Sequence, residues 1–574
     1  MEHKHKKRRR LYIVLAIIAT LLLTGIFVVN RTLENLVKKE VSNQLNSSPN
    51  SLYMLEFEDV KINVFSGSLK VINLTVTPTD SAYHLLDGGK IKKLIVSQIP
   101  VFKIMGLKYL EFIKEQTIDI VQVELTDFTV DYLINTKAEH PENKNTFALH
   151  DVFSANFKGA EIENIHVDAE AINFYHVGKR DSSFFTIDSV HVYLSDIIIN
   201  SETLKNPIPV NFKDVRISTG HFSLNSMKFY TIYTTDVKFD VMESSLSIDG
   251  FKLKPNYSKE DYNKQIKYNN DWFSISTESI KLNGFSIEEL EFNGLLSFTS
   301  LEVKGPNIEI YRDKRLPDAP FKYKSLLGGM VHKIPMDLNI DTVLISDGKL
   351  KYQEQTDVSD QPGTVFFDPL KLAVYHVTND SSLIAENNIM RVDFHGRIMG
   401  EANLDAEIDI DLASKHEEFS ISGTLEPVTG TAFNPMVEHL LPVKITSGDI
   451  SKTAFNFKAN DDISRGELIM EYENLGVEVS KGKDHDKKSK LISLVANGLL
   501  KSKNTPDHHK YRTGTIRFER RKDKAIVNYL WNSCKIGIIS IVAPIADKTE
   551  KAERKEQKEE KKEERERNKK NRNK

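Results

Sequence analysis

In the segment "IDIVQVELTDFTVDY", residues 118–132, the apolar side chains stand at Ile118, Ile120, Val123, Leu125, Phe128, Val130 and Tyr132. Steps of two belong to a half-buried strand, but the steps of three between them fit neither a plain strand nor a helix, which would alternate threes and fours. The same slots recur at Leu338, Ile340, Val343, Ile345, Leu350 and Tyr352, with Gly348 where the first segment has Phe128. They recur again at Leu296, Phe298, Leu301, Val303, Ile308 and Ile310, with Pro306 between. Ala160, Ile162, Ile165, Val167, Ile172 and Phe174 make a fourth copy, and Phe185, Ile187, Val190, Val192, Ile197 and Ile199 a fifth. Between the first four slots of these segments every residue is polar except Val121 and Leu344. A two-residue hairpin would explain a step of three, but it favours Asn-Gly or a similar pair, and the gaps read "VQ", "DT", "TS", "EN" and "DS". A bulge adds one residue, returns the next side chain to the same face and bends the strand. The pattern therefore predicts long strands curved by bulges.

Elsewhere the alternation is plain. In "NLDAEIDIDL", Leu404, Ala406, Ile408, Ile410 and Leu412 share one face, and Asp405, Glu407, Asp409 and Asp411 share the other. One side of such a sheet is dry and the other wet. "PVFKIMGLKYLEFIKEQ", residues 100–116, reads as a helical interruption, while "KAEHPENKNT", "QEQTDVSDQPGT" and "SKGKDHDKKSK" read as surface loops. With no long structureless linker between Leu52 and Val479, one elongated β body over 51–480 is expected.

Two structures would use the dry face. Apolar faces could bury one another in a sandwich core, or a curling sheet could keep an open apolar trough. The length of the body for a single core and the predicted bends favour the trough. On the order of 30 strands at ~4.8 Å each would make a single layer roughly 140 Å long. Its candidate lining residues are Ile118, Ile120, Val123, Leu125, Leu338, Ile340, Val343, Ile345, Leu404, Ile408, Ile410 and Leu412. An acyl chain suits such a lining, since each CH₂ removed from water gains about 0.8 kcal/mol without directional contacts.

The ends of the chain differ from its body. "MEHKHKKRRR", residues 1–10, precedes an uncharged apolar run over 11–29. That run is close to the roughly 20 residues a helix needs to cross a bilayer. A cleaved signal peptide would have a shorter apolar core and a small-residue cleavage site, so an uncleaved anchor is expected, with its basic flank cytoplasmic. Leu33, Leu36, Val37, Val41 and Leu45 then fit one stripe of a helix over 30–50. After the body come a loop-rich segment (481–511), a segment over 512–545 and a charged tail (546–574), the tail being helical or disordered. Within 525–545, "AIVNYLWNSCKIGIISIVAPI" is apolar but interrupted by Asn528, Asn532 and Lys535. It reads as an element packed on the β body, resting on a membrane or plugging the end of the groove. The fold class expected is thus mainly β: an elongated, curved antiparallel sheet forming a groove, with one N-terminal transmembrane helix and a charged C-terminal tail.

The formal net charge of −3 gives no basis for nucleic-acid binding. The single cysteine, Cys534, forms no intramolecular disulfide and has no basic partner by spacing to make it a nucleophile. No phosphate-binding loop, dinucleotide fingerprint or H-E-x-x-H occurs. His485 and the His508–His509 pair lie in charged loops and read as solvent-facing. The acids of "DAEIDID" alternate as a solvated face rather than pairing for acid–base work. No enzyme activity, catalytic residue, metal or cofactor is expected.

An N-terminal anchor, a helix and then "LEFEDVKINVFSGSLKVINLTVTP", residues 55–78, resemble in their order the AsmA-like proteins of Gram-negative envelopes, relatives of TamB. "IDIVQVELTDFTVDY" is similar to their repeated "I-x-I-x-x-I-x-L-x-x-P-x-I-x-I" unit, in which Pro306 keeps the proline and Phe128 and Gly348 depart from it. "FNPMVEHLLPVKITSGDISKTAFNFKANDDISRGELIMEYENL", residues 433–475, resembles the C-terminal region of members of unassigned function, and "GTIRFERRKDKAIVNYLWNSCKIGI" extends the likeness. The resemblance implies a periplasmic β-groove anchored in the inner membrane, akin to bridge-like lipid transfer proteins. It implies phospholipid or another acyl-chain lipid as ligand, a role in phospholipid transport or outer-membrane homeostasis, and envelope proteins as possible partners. The alternative is a structural or assembly factor for outer-membrane proteins.

Overall fold

The computed structural model describes residues 52–108, 116–138, 158–205, 209–225, 227–479 and 500–543, together with Arg31 and Asn35. The expected anchor (11–29), most of the helix expected over 30–50 and the charged tail (546–574) lie outside the described residues, as does His485. The chain is mainly β and divides into two compact units, Met1–Phe251 and Lys252–Lys574.

In the first unit, β1 (Tyr53–Glu56) and β2 (Asp59–Asn63) both pair with β3 (Ser68–Pro78). β3 pairs with β4 (Lys93–Met105), and β4 with β5 (Thr117–Ile134). β5 runs parallel to β6 (Gly159–His176), which turns back into antiparallel β7 (Phe185–Asn200). β7 pairs with both β8 (Asp214–Thr219) and β9 (Phe222–Leu224). β9 continues to β10 (Tyr230–Thr234), and β8 to β11 (Asp236–Asp240) and then β12 (Ser245–Asp249). Helix α1 (Asp80–Asp87) is capped by Thr79, whose side chain accepts from the Ala82 N–H. It packs Ala82 and Leu86 on Leu94 and Leu133.

In the second unit, β13 (Lys252–Pro255) leads through α2 (Lys259–Gln265) to its partner β14 (Asp271–Ser276). β15 (Ser279–Asn283) pairs with β16 (Leu295–Lys304), and β14 pairs with β17 (Asn307–Asp313). β16 and β17 are one long strand interrupted at Gly305–Pro306, and both run parallel to β18 (Asp337–Gln355), reached through α3 (Leu327–His332). An antiparallel series follows, interrupted by α4 (Ser381–Glu386), α5 (Asn434–Leu440) and short turns. Its strands are β19 (Gly363–Thr378), β20 (Ile389–Ile398), β21 (Ala402–Asp411), β22 (Phe419–Leu425), β23 (Val428–Thr429), β24 (Val443–Ala459), β25 (Ile463–Val479) and β26 (Gly514–Glu519). Helix α6 (Ile526–Val542) closes the described chain.

Two expectations change. The strands are mixed rather than antiparallel, because the β5–β6 and β17–β18 connections are long enough for the crossover that parallel neighbours require. Residues 100–105 of the expected helical interruption extend β4, since Phe102 and Ile104 pair opposite Leu125 and Val123 and complete the apolar rows there.

The mixed spacing has a register cause. Ile118, Ile120, Val123, Leu125, Val130 and Tyr132 lie opposite Ala160, Ile162, Ile165, Val167, Ile172 and Phe174. Those lie in turn opposite Ile199, Ile197, Leu194, Val192, Ile187 and Phe185. Likewise Leu296, Phe298, Leu301 and Val303 face Leu338, Ile340, Val343 and Ile345. The step of three from Ile120 to Val123 is matched from Ile162 to Ile165 in β6 and from Leu194 to Ile197 in β7, so these three strands share one corner. Asp196 takes a positive φ of 51° inside this shared corner, and at other corners the extra residue is again short and polar with a positive φ: Asp127 at 60°, Ser189 at 51° and Asp347 at 55°. Asp in particular is among the residues that tolerate this conformation best after glycine. Register shifts between Thr126 and Phe128 and between Ile345 and Gly348 mark bulges.

Candidate functional site

Rows of apolar residues cross the first unit at right angles to its strands. One runs Val60, Val71, Phe102, Leu125, Val167, Val192, Ile217, Phe239 and Leu246 through successive partners. The opposite face at the neighbouring position carries Lys61, Lys70, Lys103, Glu124, His166, Tyr193 and Arg216. There Lys103 pairs with Glu124 at 2.7 Å, and the Arg216 guanidinium lies over the Tyr193 ring. Along these two rows the wet and dry sides of the sheet are segregated.

The dry side of this unit is only partly covered. Phe128, Ala169 and Val190 are buried, while Ile99, Leu125, Val130, Val167, Ile172, Ile187 and Val192 around them are half-buried. A second cluster buries Ala160, Ile197 and Ile199 and leaves Ile118, Ile162, Ile165 and Leu194 half-buried. Of the sequence-derived candidates here, Ile120 is buried, and Ile118, Val123 and Leu125 are half-buried on adjoining rows. α1 does not close this face: Leu94 and Leu133 alternate with Ile95 and Tyr132 and point to the other side.

The second unit uses the same pattern differently. Ile408, Ile410 and Leu412, at 8, 3 and 3 % exposure, join Met390, Val392, Phe419, Ile421, Phe457, Leu468 and Ile516 in one packed cluster with Tyr529, Ile541 and Val542 of α6. Ile384 of α4, with Leu327 and Val331 of α3, packs against it as well. These three candidates therefore belong to a sealed core, because the helices supply the apolar layer that the first unit's described residues do not. Ile340 is buried, and Leu338, Val343, Ile345 and Leu404 are half-buried.

α6 approaches β25 and β26 closely through glycine. A Cβ on Gly514 would stand 2.3 Å from the Gly537 carbonyl oxygen, and one on Gly537 would stand 2.9 Å from Leu468 Cβ. The fully buried hydroxyls of Ser464 and Ser533 hydrogen-bond at 2.7 Å. At the start of α6 the Arg520 side chain, wholly buried, ion-pairs with Asp461 and donates to the Lys324 carbonyl. The Tyr323 hydroxyl donates to Glu417 at 3.0 Å and to Asp461 at 2.8 Å. Burial pushes the Cys534 thiol up to about 12, so this cysteine is a packed residue of α6 rather than an activated nucleophile.

On the wet face of the second unit an open concavity of about 1010 Å³ crosses β18 to β25. Leu344, Tyr375, Ala454 and Ile469 line its ends, and Arg391, Asp393, His395, Asp405 and Glu407 its middle. Arg391 bridges Asp393 at 2.9 Å and Glu407 at 2.5 Å, and His395 contacts Asp405. Asp405 and Glu407 of "DAEIDID" are thus partnered across the ladder. The concavity itself is invisible to alternation, which assigns faces but not curvature.

His508 and His509 lie in a turn with ring centroids 4.6 Å apart, and among the described residues no three metal-ligating side chains converge. Among the described residues no helix is long and apolar enough to cross a membrane. No family model and no curated protein matches the chain.

Proposed function

We propose that this is an AsmA-like, non-enzymatic protein, anchored in the inner membrane by residues 11–29, whose periplasmic β body shelters lipid acyl chains during phospholipid transport or outer-membrane homeostasis. One observation supports the reading: apolar rows of the first unit run from strand to strand, and among the described residues many of their side chains are only partly buried. Bare apolar surface of this extent is costly in water, at about 25 cal/mol for each Å², and contiguous exposed patches mark interaction surfaces. Hydrocarbon satisfies such rows without polar partners, which the rows do not offer. The reading is confined to the first unit, where Ile118, Ile120, Val123 and Leu125 would face the ligand.

Mass spectrometry of lipids retained by the full chain, extracted in mild detergent, tests this. Stoichiometric acyl-chain lipid, lost in a Leu125→Asp variant that still folds, is the expected result. A lipid-free chain whose loss impairs insertion of outer-membrane proteins would instead favour the assembly-factor reading.

A further inference from the structure

The dry rows of the first unit end differently at their two margins. Beside Ile118 and Ile199, Lys108 is neutralised by Asp119 at 2.7 Å and Lys213 by Asp196 at 3.7 Å. At the other margin the last row is aromatic. Tyr132 stacks on Phe174 at 4.8 Å and 9°, Phe174 meets Phe185 at 4.8 Å, and Phe185 meets Phe222 edge-on at 4.9 Å.

Just beyond this row the chain turns basic. Lys93 pairs with Ile134 and shares the face of Ile95 and Tyr132. The neighbouring turns carry Lys90, Lys92, Lys137 and Lys179 at the same end of these strands, while Arg180 turns toward α1, over the Tyr83 ring. The Asn135 N–H donates to the Lys92 carbonyl and the Lys179 N–H to the His176 carbonyl, both at 2.9 Å. All six cations are exposed, and among the described residues only Arg180 has an ion pair, with Asp87 at 3.0 Å. Among the described residues, five ammonium groups at this end of the strands therefore stand without an ion pair, Lys93 on the apolar face itself.

We propose that this corner binds the anionic head group of an amphiphile whose hydrocarbon lies on the apolar rows. The inference rests on the lipid-sheltering reading and adds to it the charge and position of the head. The aromatic row stands between the aliphatic rows and the cations, a boundary that suits aromatic side chains, Tyr132 among them with an apolar body and a polar tip. Charge attraction at this exposed site is screened within about 8–10 Å at physiological salt, so the preference is salt-dependent.

The test is equilibrium binding by the full chain in mild detergent. The probes are a fluorescent-acyl phosphatidylglycerol and a diacylglycerol with the same fluorescent acyl chain. In the variant Lys90→Gln/Lys92→Gln/Lys93→Gln/Lys179→Gln, phosphatidylglycerol binding should weaken about tenfold at low salt, with diacylglycerol binding and melting unchanged. Restoring Arg at position 93 should recover part of the loss, which a merely structural role would not predict. Equal loss of both lipids, or of neither, would overturn the proposal. Displacement of phosphatidylglycerol by millimolar inorganic phosphate would assign the corner to a free anion and overturn it too. If the wild-type chain binds neither lipid, it is the groove reading that fails.

Discussion

Leu125 and Ile410 both stand on the apolar face of their strands, and the structure predicts opposite consequences for the same substitution. Ile410 is 3 % exposed, and the cluster it shares includes residues of α6. Removing its side chain costs about 2–5 kcal/mol in transfer and cavity terms. A carboxylate left there without a partner adds several kcal/mol more, unless it takes up a proton. The total is comparable with the whole stability of a typical domain, about 5–15 kcal/mol. Leu125 is half-buried on a face that no described element covers, so Leu125→Asp loses on the order of 1 kcal/mol and its carboxylate reaches water. Ile410→Asp should therefore abolish cooperative unfolding of the second unit in thermal or urea melts followed by circular dichroism. Leu125→Asp should melt almost as wild type yet retain no lipid by mass spectrometry. An Ile410→Asp protein with a wild-type melt would show that α6 does not seal this core. A Leu125→Asp protein that unfolds equally would show that the first unit is an ordinary core as well.

Other outcomes follow from the same geometry. Gly537→Ala places a Cβ 2.9 Å from Leu468 Cβ and 3.1 Å from Ile516 Cγ1, and should destabilise the α6 docking by about 1–3 kcal/mol in urea titrations; an unchanged midpoint would contradict the close helix–sheet approach. Cys534, with its thiol pushed up to about 12 by burial, should resist iodoacetamide at pH 8 in the folded chain and react within minutes in denaturant. Rapid labelling of native protein would refute the packing of α6. Asp318 is held down at about 2, first by the hydrogen bond from Asn269 and then by that from Lys524. Its folded value lies below the ordinary carboxylate range, so its contribution is present above pH ~4 and is lost as pH falls through about 2. Asp318→Asn should thus lower stability at pH 6 and do so progressively less as pH falls through about 2, and because the group is exposed the effect at pH 6 is small, below about 1 kcal/mol.

The strand pattern was legible because register makes it redundant. A corner in β5 must be met by a corner in β6 and β7, so the same offsets recur in segments far apart in sequence. They also read almost the same from either end, which is why antiparallel β7 carries the spacing of parallel β5 and β6. Periodicity in a single strand was a poorer guide where apolar residues were dense: residues 100–105 read as helix, yet Phe102 and Ile104 are needed to continue rows begun by Val123 and Leu125. What alternation could not supply was the identity of the layer above. Ile118 and Ile120 alternate just as Ile408 and Ile410 do, but the second pair is sealed by a helix more than a hundred residues further on, whose approach depends on Gly514 and Gly537. A sequence with one β signature thus holds two units with different uses for it. In one, the dry face has its own apolar cover and contributes stability. In the other, among the described residues, that face is half-bare and ends against lysines without an ion pair, which is why the search for a ligand belongs there.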